Sequence, residues 1–310
     1  MENGNKTMRD RFLKMHRSAA SRMLLFSVSI VFCCCGTAPK TAPVDEVRQA
    51  LTTLCDSIDA TIGIAVSYPD GDTLTLAGDT PFALLSVVKF PQALAICQHL
   101  ARTGCTLADT LHVTADDLPA GTWSPLRDEQ PEGGPLTLGE LMHWSLVMSD
   151  NNACDILFHR VLSVTATDTV IHAMGIADCH IQSDEQAMRA DPQRCYHNAA
   201  TPQATVQLLQ YLYDNHDEPL LSMVWNDMSL CQTGQQRIPA GVGDSIRVVH
   251  KTGTGPVIDG RLLALNDVGI LLLPDGTHLE LAVFVQDAAL TPDQAEALIA
   301  RITRIILQKG

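Results

Sequence analysis

The sequence predicts an α/β protein of the α+β type: an antiparallel sheet built from both termini with flanking helices, plus an all-helical lobe. Three observations predict it. Strand-like segments joined by tight polar turns occur at 61–79 and again at 264–287. Helical periodicity fills roughly 85–230 between them, and an amphipathic segment closes the chain. A sheet made from distant segments leaves a seam against the inserted lobe, and seams of this kind form clefts.

Taken in order, "VDEVRQALTTLCDSI" (44–58) places apolar residues near every third or fourth position and reads as a helix. "TIGIAVSYPDGDTLTLAGD" (61–79) reads as two strands around a Pro-Asp-Gly-Asp turn. "SVVKFPQALAICQHLA" (86–101) and "LTLGELMHWSLVM" (136–148) are helical, the second opened by a Thr137…Glu140 capping box. "SIRVV", "ALNDVGIL" and "LLPDGTHLELAVFVQD" supply strands from 245 to 287. "TPDQAEALIARITRIILQ" (291–308) is an amphipathic helix started by Thr291 and Pro292.

The 310 residues, 46% of them hydrophobic, suffice for one large core. Residues 1–40 carry seven of the 21 Lys/Arg and two of the 35 Asp/Glu, so the remainder balances at -19. A body that acidic repels phosphate backbones, which argues against a nucleic-acid partner. Six basic residues in 1–22 precede the apolar run "MLLFSVSIVF" (23–32), too short for a mature span and suited to a signal peptide. "CCCG" follows, and a cysteine there resembles the bacterial lipoprotein signal, in which that cysteine is acylated. The expectation is therefore a signal peptide at 1–35, a tether at 36–44 and one catalytic domain at 45–310 in a periplasmic protein, with a possible lipid anchor. Seven cysteines follow residue 35 without C-x-x-C spacing, and neither a disulfide framework nor a zinc site is expected.

Three short stretches carry the chemistry. In "LLSVVKF", Ser86 and Lys89 share one helix face, so the amine could accept the serine proton; the same pair would also serve as an N-cap serine and a solvated lysine. In "HKTGTG" (250–255), glycines allow a ligand or backbone to approach a strand, beside Lys251, Thr252 and Thr254; a strand ending in a Gly turn reads the same way. "MSDNNACDIL" (148–157) interrupts an apolar run with Ser149, Asp150, Asn151 and Asn152, residues that cap helices or line clefts. Lysine is scarce: beyond residue 40 the chain holds only Lys89, Lys251 and Lys309. Lysine, unlike arginine, can release its proton, so two of three lysines inside these stretches points to proton chemistry.

Ser-x-x-Lys, Ser-Asp-Asn and Lys-Thr-Gly in that order are an established signature of class A β-lactamases and penicillin-binding proteins. From about residue 45 to its end the chain resembles that superfamily, and class A in particular. "TWSP" (122–125) and "CQTGQQRI" (231–238) support this, while "SDNNA", "DEQAM" and "ALNDV" resemble a cephalosporinase-leaning branch. The resemblance implies hydrolysis of β-lactams, with Ser86 as nucleophile and an oxyanion hole from the backbone N–H groups of Ser86 and Thr254. It implies that Lys89, or a carboxylate acting through water, deprotonates Ser86. Ser149 would protonate the leaving nitrogen, and Lys251 would hold that hydroxyl. Asn151 would bind the substrate amide, Asp150 would brace the loop, and Trp123 would wall the entrance.

For the substrate carboxylate the resemblance implies Thr252, supported by Arg237, with Arg261 as the alternative cation. For deacylation it implies Glu185 in "QSDEQAMRAD", with Asp184 as neighbouring rival and Arg189 where the family has asparagine. No cofactor or metal is expected, since no His-x-His-x-Asp or His-Glu-x-x-His cluster occurs. The partner is a small-molecule β-lactam, and a monomer suffices. The alternatives are a D,D-peptidase, a β-lactam-binding sensor and an inactive lipoprotein of the same fold.

Overall fold

The computed structural model of the chain describes residues 43–309. The signal peptide and nearly all of the tether lie outside the described residues. Helix α1 (Val44–Asp56) buries Val47, Leu51 and Leu54, the spacing its sequence announces. Strands β1 (Thr61–Ser67) and β2 (Thr73–Leu76) pair as an antiparallel hairpin, and Gly71 takes φ +87° in the turn, a conformation glycine adopts without steric cost.

The lobe that follows contains α2 (Lys89–Thr103), α3 (Leu138–Val147), α4 (Asn151–Arg160), α5 (Val164–Ala173), α6 (Glu185–Ala190), α7 (Pro202–Asn215) and α8 (Pro219–Ser229). Helix α2 runs through its centre, with every residue from Lys89 to Cys97 buried. The Thr137–Glu140 capping box opens α3 as expected. Two local pairings interrupt the helical pattern: Thr110–Thr114 with Gly133–Thr137, and Ala199–Ala200 flanked by Phe82–Ala83 and Cys179–His180. Strands of two to five residues are too short to leave a readable alternation.

The chain then returns to the sheet as β3 (Arg247–Thr254), β4 (Arg261–Leu272) and β5 (His278–Ala288). The order is β2-β1-β5-β4-β3, antiparallel, so the first strand pairs with the last. The closing helix α9 (Pro292–Ile306) starts at Thr291, whose hydroxyl accepts from the Gln294 N–H. One face of the sheet packs on the lobe, where the rings of Phe82 and Phe284 stack at 5.6 Å. The other face packs on α1 and α9. All seven cysteines after residue 35 are free thiols.

Candidate active site

The seam between β3 and the lobe is organised around Ser86. Leu85, just before it, sits at φ +50°, and Ser86 lies in a 3-10 turn (Leu85–Val88) that runs into α2. A non-glycine residue there costs about 1–3 kcal/mol and persists only where its surroundings impose it. Here the Asn266 amide donates to the carbonyls of Ala83 (2.8 Å) and Leu84 (3.2 Å), while the Leu84 N–H donates to Asn198 (2.8 Å). Strand β3 lies hard against this turn. A Cβ on Gly253 would stand 2.4 Å from the Leu84 carbonyl oxygen, so the glycine of Lys-Thr-Gly is required by packing.

Lys89, the first residue of α2 and one turn beyond Ser86, is fully buried, and its amine meets four oxygens. It donates to Ser86 Oγ (2.8 Å), Asn151 Oδ1 (2.7 Å), Glu185 Oε1 (2.6 Å) and the Ser149 carbonyl (3.2 Å). A solvated lysine and a simple capping serine are thereby ruled out. One amine connects the hydroxyl, the amide and the carboxylate that the sequence singled out.

Ser149 also occupies the left-handed region, φ +57°, in the loop between α3 and α4. Its hydroxyl accepts from Lys251 Nζ at 2.9 Å. Both readings of "MSDNNACDIL" hold at once, because Asp150 caps α4 through the Ala153 N–H (2.8 Å). The same carboxylate accepts from Ser124 Oγ (3.0 Å) and the Leu126 N–H (2.8 Å), bracing the loop. Asn151 Nδ2 donates to Thr122 Oγ1 at 2.8 Å. Trp123 is 58% exposed at the rim, its indole N–H on the Met148 carbonyl (2.9 Å), so it is wall rather than core.

Complete burial pushes the Lys251 amine down to about 8; Lys89 and Arg237 push the same way, and Cys231 and Glu185 oppose. Behind it the Asp267 carboxylate accepts from His250 Nδ1 (2.9 Å), and although burial opposes, that pairing raises His250 to about 10. The His250 charge in turn draws the Cys231 thiol down to about 7 against its own burial. Lys251 is thus backed by alternating charges that sequence reasoning missed.

Glu185 begins α6. Asp184, its rival, is the N-cap: it accepts from the Ala187 N–H (2.7 Å) and pairs with His159 Nε2 (2.8 Å), outside the Lys89 network. The loop is pinned by two residues that no sequence motif singles out. Asp155 accepts the N–H groups of Glu185 (2.8 Å) and Gln186 (3.0 Å), and Asn198 Oδ1 accepts those of Gln182 (2.8 Å) and Ser183 (2.9 Å). Burial, aided by the Glu185 charge, raises the Asp155 carboxyl to about 7. Beneath them Met188 and Cys195 pack on Ala83 and Leu85, tying the Glu185 loop to the Ser86 turn. Arg189 sits outside this packing, and Glu185 stays on Lys89.

On the β3 side, Thr252 Oγ1 meets Thr233 Oγ1 at 2.5 Å. Arg237 is 4% exposed and donates to Thr254 Oγ1 (2.7 Å) and the carbonyls of Gly253 (3.0 Å) and Asn266 (2.9 Å). It therefore supports the strand end that bears Thr254. Arg261, the alternative cation, is engaged elsewhere, paired with Asp59 at 2.8 Å.

Ser86, Trp123, Ser149, Asn151, Thr233, Thr252 and Thr254 line a cavity of about 240 Å³. A neighbouring cavity of about 380 Å³ shares Trp123, Asn151 and Thr254 with it and carries Glu185 and Arg189. The ten residues chosen from sequence are therefore brought to one place: five hydroxyls and amides on the wall, two buried amines beneath, Glu185 beside them, Trp123 at the rim and Arg237 behind. A hydroxyl with a buried amine at hydrogen-bond distance, facing a second amine–hydroxyl pair, is an arrangement able to activate a serine as nucleophile.

Residues 46–309 match the model of the β-lactamase enzyme family. A β-lactamase of Bacteroides uniformis is 32% identical over 90% of this chain and 96% of its own length. The crystal structure of a β-lactamase from Chitinophaga pinensis superposes with a TM-score of 0.82 at 34% identity, covering 84% of this chain and 98% of that one. The TLA-3 extended-spectrum β-lactamase gives 0.83 at 32% identity, covering 85% and 98%. The chain belongs to the β-lactamase enzyme family, in class A.

Proposed function

We propose that the protein hydrolyses β-lactams, cephalosporins above all, through an acyl-enzyme on Ser86 that water deacylates. The observation that carries this reading is the Lys89 amine held between Ser86 Oγ (2.8 Å) and Glu185 Oε1 (2.6 Å). Acting as the free amine, Lys89 takes the Ser86 proton as Oγ bonds to the lactam carbonyl carbon. The Ser86 and Thr254 N–H groups stabilise the oxyanion. As the C–N bond breaks, Ser149, held by Lys251, gives its proton to the nitrogen, and the proton that Lys89 took from Ser86 replaces it. Glu185 then takes a proton from water as the water attacks the ester, and that proton returns to Ser86 Oγ as the ester bond breaks, which frees Ser86 and releases the opened acid. Asn151 holds the side-chain amide, and Thr252 with Thr254, backed by Arg237, holds the carboxylate.

The branch resemblance supports the cephalosporin preference. The basic N-terminus followed by an apolar run supports export to the periplasm, and the cysteines after it support a lipid anchor. A monomer suffices, because every group named comes from one chain.

Turnover of a chromogenic cephalosporin tests the reading. Wild type is expected to cycle many times, and Ser86→Ala to lose at least about 10³-fold in kcat/KM. A wild type that releases one equivalent and stops would move the assignment to a sensor or transpeptidase.

The Lys251 amine also sets a pH dependence. With its proton leaving near pH 8, the charge that holds Ser149 and attracts the carboxylate is full below 7 and lost above 9. An alkaline limb near pH 8 is expected in kcat/KM, which reports the free enzyme. In kcat it is expected at higher pH, because a bound carboxylate keeps the proton on. Profiles of both parameters check this; coincident limbs would contradict it.

A further inference from the structure

Away from the cleft, Asp168, His172 and His180 turn their side chains toward one point on the lobe surface. One ligand atom from each lies within 4.8 Å of the other two. Asp168 and His172 are one turn apart on α5, the spacing that puts two donors on one helix face. His180 comes from the Cys179–His180 strand, its ring centroid 5.3 Å from that of His172.

We propose that these three residues form a site for Zn²⁺ or a similar imidazole-preferring divalent metal. Two imidazoles and a carboxylate suit such ions, with water completing the shell. The donors are partly fixed in advance. Asp168 Oδ1 accepts the Ile181 N–H at 2.8 Å, which leaves Oδ2 facing His172 Nδ1 at 3.3 Å. His172 meets acceptors at both ring nitrogens, the Asp168 carbonyl (2.8 Å) and the Ala177 carbonyl (3.2 Å). A metal would take the Nδ1 lone pair, which faces Asp168 Oδ2, while the Nε2–H keeps its donation to the Ala177 carbonyl, the arrangement usual for a ligating imidazole. Bound metal at about 2.0–2.2 Å from each donor needs them some 3–3.5 Å apart, within reach of side-chain rotation. The acidic body of the protein favours a cation.

Metal here would fasten α5 to the strand that leads into the Glu185 loop, five residues downstream. Its effect is therefore on the stability of that connection, by mass action on the folded state. Calorimetric titration of the purified chain with ZnCl₂ tests the site, with thermal unfolding as second readout. One equivalent is expected to bind in the micromolar range and to raise the Tm. His172→Ala and His180→Ala are each expected to weaken binding at least tenfold and to abolish the Tm rise. His112→Ala, an exposed histidine elsewhere on the lobe, is expected to leave both unchanged. Wild type without binding below about 1 mM would overturn the site, as would affinity retained in both variants. Cephalosporin turnover is read separately, so failure here leaves the hydrolytic assignment untouched.

Discussion

Glu185→Gln is expected to convert the protein from a catalyst into a stoichiometric trap. A chromogenic cephalosporin should give a burst equal to the enzyme concentration, followed by a steady rate roughly 10²–10⁴-fold below wild type. The amide is close in shape to the carboxylate, so it can still accept from Lys89 through its oxygen, and the 2.6 Å contact need not collapse. What is lost is the carboxylate that meets the Lys89 amine, and with it the base for water. The burst rate carries a second result. If Lys89 alone deprotonates Ser86, the burst keeps its wild-type rate. If Glu185 does so through water, the burst slows together with the steady rate.

Lys89→Met is expected to abolish the burst itself. The substitution keeps much of the stem volume within the buried α2 segment but removes the donor that serves four oxygens. Breaking a buried ion pair by deleting one partner costs about 3–5 kcal/mol, and Glu185, 11% exposed, is left with its charge unanswered. The Tm is therefore expected to fall, while acylation drops by about 10²–10⁴-fold for lack of a base. Circular dichroism at 20 °C with pre-steady-state absorbance separates the two effects. A Lys89→Met protein that is folded and still gives a full-rate burst would remove lysine from the mechanism. The pair of variants thus distinguishes the two half-reactions: no burst for Lys89, burst and stall for Glu185.

The sheet could be read because its strands are bounded by Pro, Asp and Gly turns and are rich in apolar residues, as in the twelve-residue β4. The helices could be read from capping residues that the structure uses as such, Thr137 and Thr291 among them. The site could be read because its chemistry is concentrated in three short motifs, and because lysine is rare. Lys309, the lysine left out, pairs with Asp70 and Asp72 at the surface.

What could not be read are contacts from side chain to distant backbone. Asp155 serves N–H groups 30 and 31 residues away, and Asn266 holds carbonyls 183 and 182 residues away. No local spacing announces such a partner. The choice between Arg237 and Arg261 was equally closed to sequence. It depends on how the 255–261 turn leaves β3, and the structure sends Arg261 out to Asp59. The Cys231–His250–Asp267 row behind Lys251 needed the β3–β4 register, in which Gly269 faces His250 and Asp267 faces Thr252.

The central claim, a covalent intermediate on Ser86 that Glu185 resolves, is tested most directly by mass spectrometry of Glu185→Gln after mixing with a cephalosporin. The account expects the intact mass to rise by one acyl adduct per chain, located by proteolysis on the peptide carrying Ser86 and absent from the Glu185→Gln/Ser86→Ala double variant. An unmodified chain under turnover conditions, or an adduct on any other residue, would contradict it.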